Sequence, residues 1–562
     1  MHALGDLQVQ YAAILVVSVS ALASATHSDT AVAAGQEQGT AAPASTQGTS
    51  QVALEEVVVT AQRRTESLAR TAIAVTKLDG EKLRENDVRS IADMQYYVPG
   101  LVFSQNGASF TTLRGVGTSQ PGSAVEAGVA TNLDGVYIGR TSAAMPYFDL
   151  GSIEVLRGPQ GTLYGRNATG GAINIISARP TEDLQAGLDA IAGDYSRRRI
   201  EGFVSGPLTD TTRGRIAMVW ERRDSYLDNV DPAGPDMRDD EVKGARGTFV
   251  FEPDASDLSV SFTADYQETK SAGMVPQFVI GGLSVTAPQP ALLSKDPTEV
   301  TQSLDNFLDR DNWGVNLTIQ APVAGLSFRS ITAYRDHQLD SLGSLSPSND
   351  PRFLSLGSEE AWQFSQEFQL LSDDDSRIKW VAGLYYYKES VLAVYQTTAL
   401  LFDVPVAPGF YLPLGYQEVL TQDFDNESIA AFGQLTYPVT ERLRLTGGVR
   451  YTKDYKDGTG GGPARVFDLA NTGFFPDIPV GGDASVDDSW DAFTPKFGVE
   501  YDVSTGLVYA SATRGYKPGN SNLTVGSPPV DPEFVWAYEA GYKARLLENR
   551  LQANFAAYYY DY

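Results

Sequence analysis

The chain of 562 residues contains no cysteine and only three histidines, His2, His27 and His337. The first absence removes disulfides, thiolate nucleophiles and cysteine metal sites together. The second leaves a histidine metal or haem centre short of ligands and a histidine-based triad almost nothing to draw on. Basic charge is also scarce: 43 Lys and Arg stand against 70 Asp and Glu, a net charge of −27. Phosphates are repelled by such a surface, so no nucleic-acid partner is expected. No strongly apolar run of about eighteen residues occurs after the N-terminus, which excludes a spanning helix in the body of the chain. It does not exclude a membrane barrel, whose strands hide their apolar band in alternation.

What is abundant points to β-structure: 53 Gly, 28 Tyr and 24 Phe. After Pro180, apolar and polar residues alternate in segments such as Leu258–Tyr266, Trp313–Ile319, Trp362–Leu370, Leu443–Tyr451 and Leu551–Tyr559. A soluble sandwich alternates too, so the connections decide. From Leu184 on, roughly fifteen candidate strands are joined by connections that take turns at being short and long. Gly206–Thr212, Ala321–Ala324, Tyr437–Thr440 and Asp502–Thr505 are tight, whereas Asp224–Val242, Thr269–Asp311, His337–Glu360, Glu389–Glu427 and Lys453–Ser489 are long. Short turns at one rim and long loops at the other are the outer-membrane barrel pattern. Aromatic runs such as Tyr385–Tyr387 and Tyr558–Tyr560 suit its interfacial girdles.

The chain before the barrel divides by composition. Residues 1–25 hold the apolar run Tyr11–Val17 and a small-residue site, Ala23-Ser-Ala25, and read as an export signal without its usual basic start. Residues 26–53, rich in Ala, Gly, Ser, Thr and Gln, cannot bury enough surface to fold and read as a flexible tether. Residues 54–61 follow, with Val57-Val-Val59 after two acids. Such a strand either adds itself to the sheet edge of another protein or pairs within its own domain.

Residues 65–180 read as a compact mixed α/β unit, with a helix at Ser90–Tyr97 and short strands at Ala72–Val75, Asn132–Tyr137, Ile153–Leu156 and Ile173–Ile176. Its most distinctive part is Asp149–Ser177, two strands about a loop with Gly158, Gly161, Gly165, Gly170 and Gly171. The glycine spacing invites a phosphate-loop reading, but Gly171-Ala172 stands where that loop needs Lys and Ser or Thr. Arg157 and Arg166 in this loop need fixed partners if buried, so whatever encloses the segment is expected to supply them.

These pieces, in this order, resemble the TonB-dependent receptors of the Gram-negative outer membrane. Glu55–Ala61 looks like their TonB box. Pro99-Gly-Leu101, Leu113-Arg-Gly115, Asp134–Tyr137, Ile153–Gly161, Leu163-Tyr-Gly165 and Gly170–Asn174 look like their plug signatures, and Tyr538–Lys543 and Asn554–Tyr562 like late barrel strands. The fold implied is an antiparallel membrane β-barrel over 184–562 with an N-terminal mixed α/β plug domain in its lumen. About 22 strands are expected of a plugged transporter. The fifteen here look truncated, with the terminal edges unpaired.

The function implied by the resemblance is active import of a scarce ligand, an iron–siderophore complex first, with oligosaccharides, aromatic compounds and cobalamin open. A passive porin or a secreted enzyme is the rival class. No catalytic, cofactor-binding or metal-ligating set is expected. The partners implied are outer-membrane lipid, the small-molecule ligand, and TonB with its inner-membrane energising complex, held at Glu55, Glu56, Val57, Val58, Val59, Thr60 and Ala61. Arg114 and Arg157 match plug arginines that pair with barrel glutamates in the family, and strand parity makes Glu539 and Glu367 their lumen-facing candidates. Gln105, Asn106, Ser119, Gln120 and Arg140, in the plug's apical loops, are the candidate ligand contacts.

Overall fold

The computed structural model of the chain describes residues 14–21, 56–105, 109–118, 123–139, 142–254, 256–273, 296, 298–344, 353–407, 410–468, 478–479, 482–520, 530–548 and 550–562. From Gln185–Gly193 to Leu551–Asp561, fifteen antiparallel strands follow one another in sequence order round a closed barrel. This takes Gly482–Phe493 and Lys496–Val503 as one strand, because both pair with Leu443–Gly462. It leaves aside Ala464–Asp468 and Ile478–Pro479, short strands within one connection.

Burial along these strands is the reverse of a soluble sandwich. On Leu443–Gly462, Leu445, Val449 and Tyr451 are 43%, 47% and 51% exposed, while Arg450, Asp454 and Lys456 between and beyond them are 3%, 1% and 2% exposed. Water drives apolar side chains inward, so an apolar outer face with charges inside is stable only where the outer solvent is lipid.

The ring closes through Ile14–Ala21, which pairs antiparallel with Leu551–Asp561 from Ile14 opposite Tyr558 to Ala21 opposite Leu551. The sequence assigns this run to an export signal and leaves the last strand unpaired. In the structure the edge is met by an extended, Val- and Ile-rich run, because bare N–H and C=O groups template pairing with any compatible strand.

Several connections that read as loops are largely strand. Lys379–Ala407 and Phe410–Pro438 are 29 residues each and pair along their length. Leu326–Ser344 and Phe353–Ser372 likewise extend into the expected loop His337–Glu360. A stave crosses the hydrocarbon in about 9–11 residues, so these hairpins stand well above the membrane.

Inside the ring, a five-stranded sheet runs in the order Val75–Asp79, Leu150–Arg157, Gly171–Ser177, Val129–Leu133, Val136–Ile138. Leu150–Arg157 and Gly171–Ser177 are antiparallel, and Gly171–Ser177 is parallel to Val129–Leu133. Met94, Leu113, Ile153, Val155, Ile173 and Ile175 form its fully buried core. Ser90 starts the short helix Ile91–Met94 with a capping box: its Oγ accepts from Asp93 N at 3.2 Å, and Asp93 accepts from Ser90 N at 2.9 Å.

Two expectations are corrected in this domain. The first strand lies at Val75–Asp79 rather than Ala72–Val75. The single strand Asn132–Tyr137 is instead a hairpin, turning at Asp134 (φ 50°) and Gly135 (φ 85°). Two successive positive φ values make the turn whose twist suits a two-residue hairpin, and Asp-Gly is its usual sequence.

Candidate functional site

The acidic, valine-rich segment is docked rather than loose. Glu55 lies outside the described residues, and Glu56 begins the described part beside Arg545, at 3.6 Å. Val58–Val59 pairs antiparallel with Glu66–Ser67, and Leu68 N donates to Val57 O at 2.8 Å. Val59 and Ala61 are buried against Ile73, Val75 and Leu156. Polar clamps complete the hold. Thr60 N donates to both carboxylate oxygens of Glu154, at 2.9 and 3.0 Å, and Thr60 Oγ1 to one of them at 3.1 Å. Lys77 Nζ donates to Val58 O at 2.6 Å, and Tyr164 Oη to Ala61 O at 3.1 Å. Burial raises the Glu154 carboxyl above its ordinary pKa, with the Thr60 donors pulling it back. Arg545, next to the turn after Leu546, and Arg64, paired with Asp374 at 2.8 Å, place this segment at the short-turn rim.

Higher in the lumen, Arg114 Nη1 donates to Glu539 Oε2 at 2.7 Å and to Tyr560 Oη at 3.1 Å. Glu539 also accepts from Tyr509 Oη at 2.8 Å and from Ala74 N at 3.1 Å. The Glu539 carboxylate is thereby filled. Arg157 is buried close to the same group, but its Nε and Nη1 have no hydrogen-bond partner. Burial, then the neighbouring Arg114, lower its pKa. Glu367 pairs not with Arg157 but with Arg63, at 3.3 Å, whose guanidinium also lies 4.7 Å from the Tyr164 ring centre. Of the four residues named from sequence for this role, the structure joins Arg114 to Glu539, joins Glu367 to a different arginine, Arg63, just before the plug, and leaves Arg157 without an ion pair among the described residues.

Other contacts between plug and wall were not foreseen. Asp149, in a left-handed conformation (φ 53°), accepts from Arg215 Nε at 2.9 Å. Arg166 meets Glu126 at 3.5 Å and the wall residue Asp454 at 3.3 Å, so of the two loop arginines it is this one that finds the enclosing partner. Gly165 (φ 82°) allows the approach, since a Cβ there would stand 2.6 Å from the Arg450 guanidinium. Glu154 had a legible signal, a lone carboxylate inside the apolar strand Ile153–Leu156. Arg63 had none.

At the apex, a cavity of about 40 Å³ is lined by Ser123, Glu126, Tyr137, His337, Glu359 and Glu389. Although burial opposes it, Arg166 and Lys456 hold the Glu126 carboxyl below the usual range. His337, the one histidine in the folded body, shares a 2.8 Å hydrogen bond with Asn312 through Nδ1. Among the described residues no group of three or more His, Cys, Asp or Glu is placed to hold a metal. Of the candidate ligand contacts, Asn106, Ser119, Gln120 and Arg140 lie outside the described residues, and Gln105 is described only as the end of the strand Leu101–Gln105.

A closed lumen filled by a glycine-rich domain, with a short strand docked at its lower face, is matched by two family models. "TonB dependent receptor-like, beta-barrel" covers residues 183–562, and "TonB-dependent Receptor Plug Domain" covers residues 67–172. The chain belongs to the TonB-dependent receptor family. The family consists of outer-membrane transport receptors. The pesticin receptor of Yersinia pestis is 26% identical over 531 residues, 90% of this chain and 70% of that protein. The ferripyoverdine receptor of Pseudomonas aeruginosa is 23% identical over 542 residues, 89% of this chain and 59% of its own length. Among solved structures, the ferric yersiniabactin uptake receptor of Yersinia pestis superposes with a TM-score of 0.71 at 21% identity, covering 87% of this chain and 72% of that one.

Proposed function

We propose that this TonB-dependent receptor imports a ferric siderophore, doing no chemistry on it. The carrying observation is the joint presence of a lumen sealed by the plug and a strand, Val58–Val59, held at the periplasmic rim by contacts that separate without breaking a covalent bond. Traction on that strand by TonB and its inner-membrane complex supplies the energy, and β-strand addition supplies the grip. The siderophore class is supported by the relatives, whose names are those of pesticin, ferripyoverdine and ferric yersiniabactin receptors. The absence of cysteine and the burial of His337 against Asn312 support transport over catalysis.

The same proposal assigns residues 1–25 to export, 26–53 to the tether, Arg114 and Glu539 to a latch between plug and wall, and the apical residues Gln105, Asn106, Ser119, Gln120 and Arg140 to ligand contact. The test is radioiron uptake by a host stripped of its own siderophore receptors and expressing this chain, supplied with ferric yersiniabactin and ferripyoverdine in turn. Uptake that vanishes in a TonB-less host is expected. Uptake that persists there makes the chain a passive pore. If labelled cobalamin or an oligosaccharide enters in place of iron, the ligand class fails while the receptor reading stands.

A further inference from the structure

The cavity of about 40 Å³ at the apex lies between plug and wall, with Glu126 and Gly139 on the plug side and His337, Glu359 and Glu389 on the wall side. Its three carboxylates are answered unequally. Glu126 has Arg166 at 3.5 Å, Lys456 at 3.8 Å and the Asn167 amide at 2.6 Å. Both cations have other duties: Arg166 also meets Asp454 at 3.3 Å, and Lys456 Nζ donates to Ala124 O at 2.8 Å and to Asn520 Oδ1 at 3.1 Å. Glu359 accepts from Ser123 Oγ, and Arg310 acts on it only from beyond ion-pair reach. Glu389 accepts from Asn426 Nδ2 at 2.8 Å and among the described residues forms no ion pair. Its Oε1 is turned to the plug, since a Cβ on Gly139 would stand 3.1 Å from it. A carboxylate enclosed in this way without a counter-charge is unfavourable until a cation reaches it.

His337 adds a neutral acceptor. It is 4% exposed, its Nδ1 is bonded to Asn312 Oδ1 at 2.8 Å, and its Nε2, 3.7 Å from Glu359 Oε1, has no hydrogen-bond partner. An amide oxygen only accepts, so in the neutral ring Nδ1 carries the proton and Nε2 presents its lone pair. Carboxylates and a ring lone pair call for a guest that is all donor.

Size and spacing narrow that guest further. About 40 Å³ has room for one or two water-sized groups, which admits the end of a side chain and not a whole iron chelate. Among the described residues no three of these groups stand close enough to share a metal ion. A metal needs its oxygens within about 2.0–2.6 Å, whereas an ammonium carries three donors outward and meets acceptors at about 2.8 Å. An anionic group would meet three carboxylates.

We propose that this cavity is a subsite for one primary ammonium group of the imported ligand, received by Glu389, Glu359 and His337. The proposal rests on the import reading above and sharpens it: the siderophore carries a basic amine beside its iron-binding groups, and Glu389 is the residue that selects for it.

The full chain in detergent is dialysed to equilibrium against the radioiron complex of desferrioxamine B, which ends in a primary ammonium, and against the same complex with that amine acetylated. The charged complex should bind about ten-fold more tightly or better, the worth of one hydrogen bond to a charged group, and Glu389→Gln should bring the two affinities together. The comparison is made within each chain, and heat-modifiable migration on gels shows that the variant retains its barrel. Equal binding of the two complexes by the wild-type chain, or tighter binding of the acetylated one, overturns the subsite and leaves siderophore import standing. Binding of no ferric complex, ferric yersiniabactin and ferripyoverdine included, ends the siderophore reading instead. Where neither desferrioxamine complex binds, the subsite is read without iron, from the unfolding temperature in methylammonium chloride against sodium chloride at equal concentration. A rise that Glu389→Gln abolishes supports the subsite, and no rise overturns it.

Discussion

Both oxygens of the Glu154 carboxylate accept from Thr60, which lies in the segment that TonB is proposed to pull. Hydrogen bonds to an ionised group contribute about 1.5–3 kcal/mol. Glu154→Ala should therefore free the segment, and the affinity of the TonB C-terminal domain for the unliganded receptor should rise about 10- to 150-fold if docking holds the segment back. Titration calorimetry checks this, and an unchanged affinity removes Glu154 from the docking account. The sign of the pH dependence follows from burial, which raises this carboxyl's pKa in the docked state. Water returns it to the ordinary value on release, so the docked state holds the proton more tightly. Docking is thus strongest at acid pH, weakens as pH rises through the docked pKa, and is flat above it. A nitroxide on Val58→Cys, the only thiol in a cysteine-free chain, should report a mobile fraction growing from acid to neutral pH, and Glu154→Gln should abolish the slope. Glu539→Ala leaves Arg114 buried and unpaired, at a cost of about 3–5 kcal/mol. Plug retention under protease and radioiron uptake should both fall, and unchanged values would count against the latch. That Glu539 faces the lumen was legible from strand parity. That Arg157 forms no ion pair among the described residues was not, because Arg114, Tyr509 and Ala74 already fill the Glu539 carboxylate beside it, and which of two arginines wins a shared acid depends on packing.

At the level of whole elements, period-two alternation made the staves visible, since a strand facing lipid on one side and a polar lumen on the other must keep its parity. Their lengths were less legible. The hairpin of Lys379–Ala407 and Phe410–Pro438 continues beyond the membrane, where both faces meet water and alternation carries no signal. The Asp134-Gly135 turn shows the opposite case, a signal present in the residues and passed over because the flanking strands are only 5 and 3 residues long. The run Ile14–Ala21 has two incompatible roles, one as a cleaved export signal and one as the strand beside Leu551–Asp561. If export processing follows the proposed Ala23-Ser-Ala25 site, chain recovered from outer membranes begins at Thr26, which intact-mass measurement would show. A mass that includes residues 14–21 places that run in the wall and ends the signal reading.

For the molecule as a whole, the lumen is the decisive feature. Arg450, Asp454 and Lys456 line it and are almost wholly covered, and Arg166 of the plug reaches Asp454 directly. A ring of that size with charged inner walls would be a water-filled pore if emptied, so the plug is what separates a gated receptor from a passive one. In planar bilayers the chain should show no steady conductance steps, whereas a variant lacking residues 56–177 should open a permanent pore. The same variant should admit small hydrophilic solutes in a TonB-less host while losing concentrative radioiron uptake, because no strand is left to couple the energy. A steady pore in the intact chain would mean that the contacts of Arg63, Arg114, Arg166 and Asp149 with the wall do not seal the lumen, and an energised release step would then have nothing to act on.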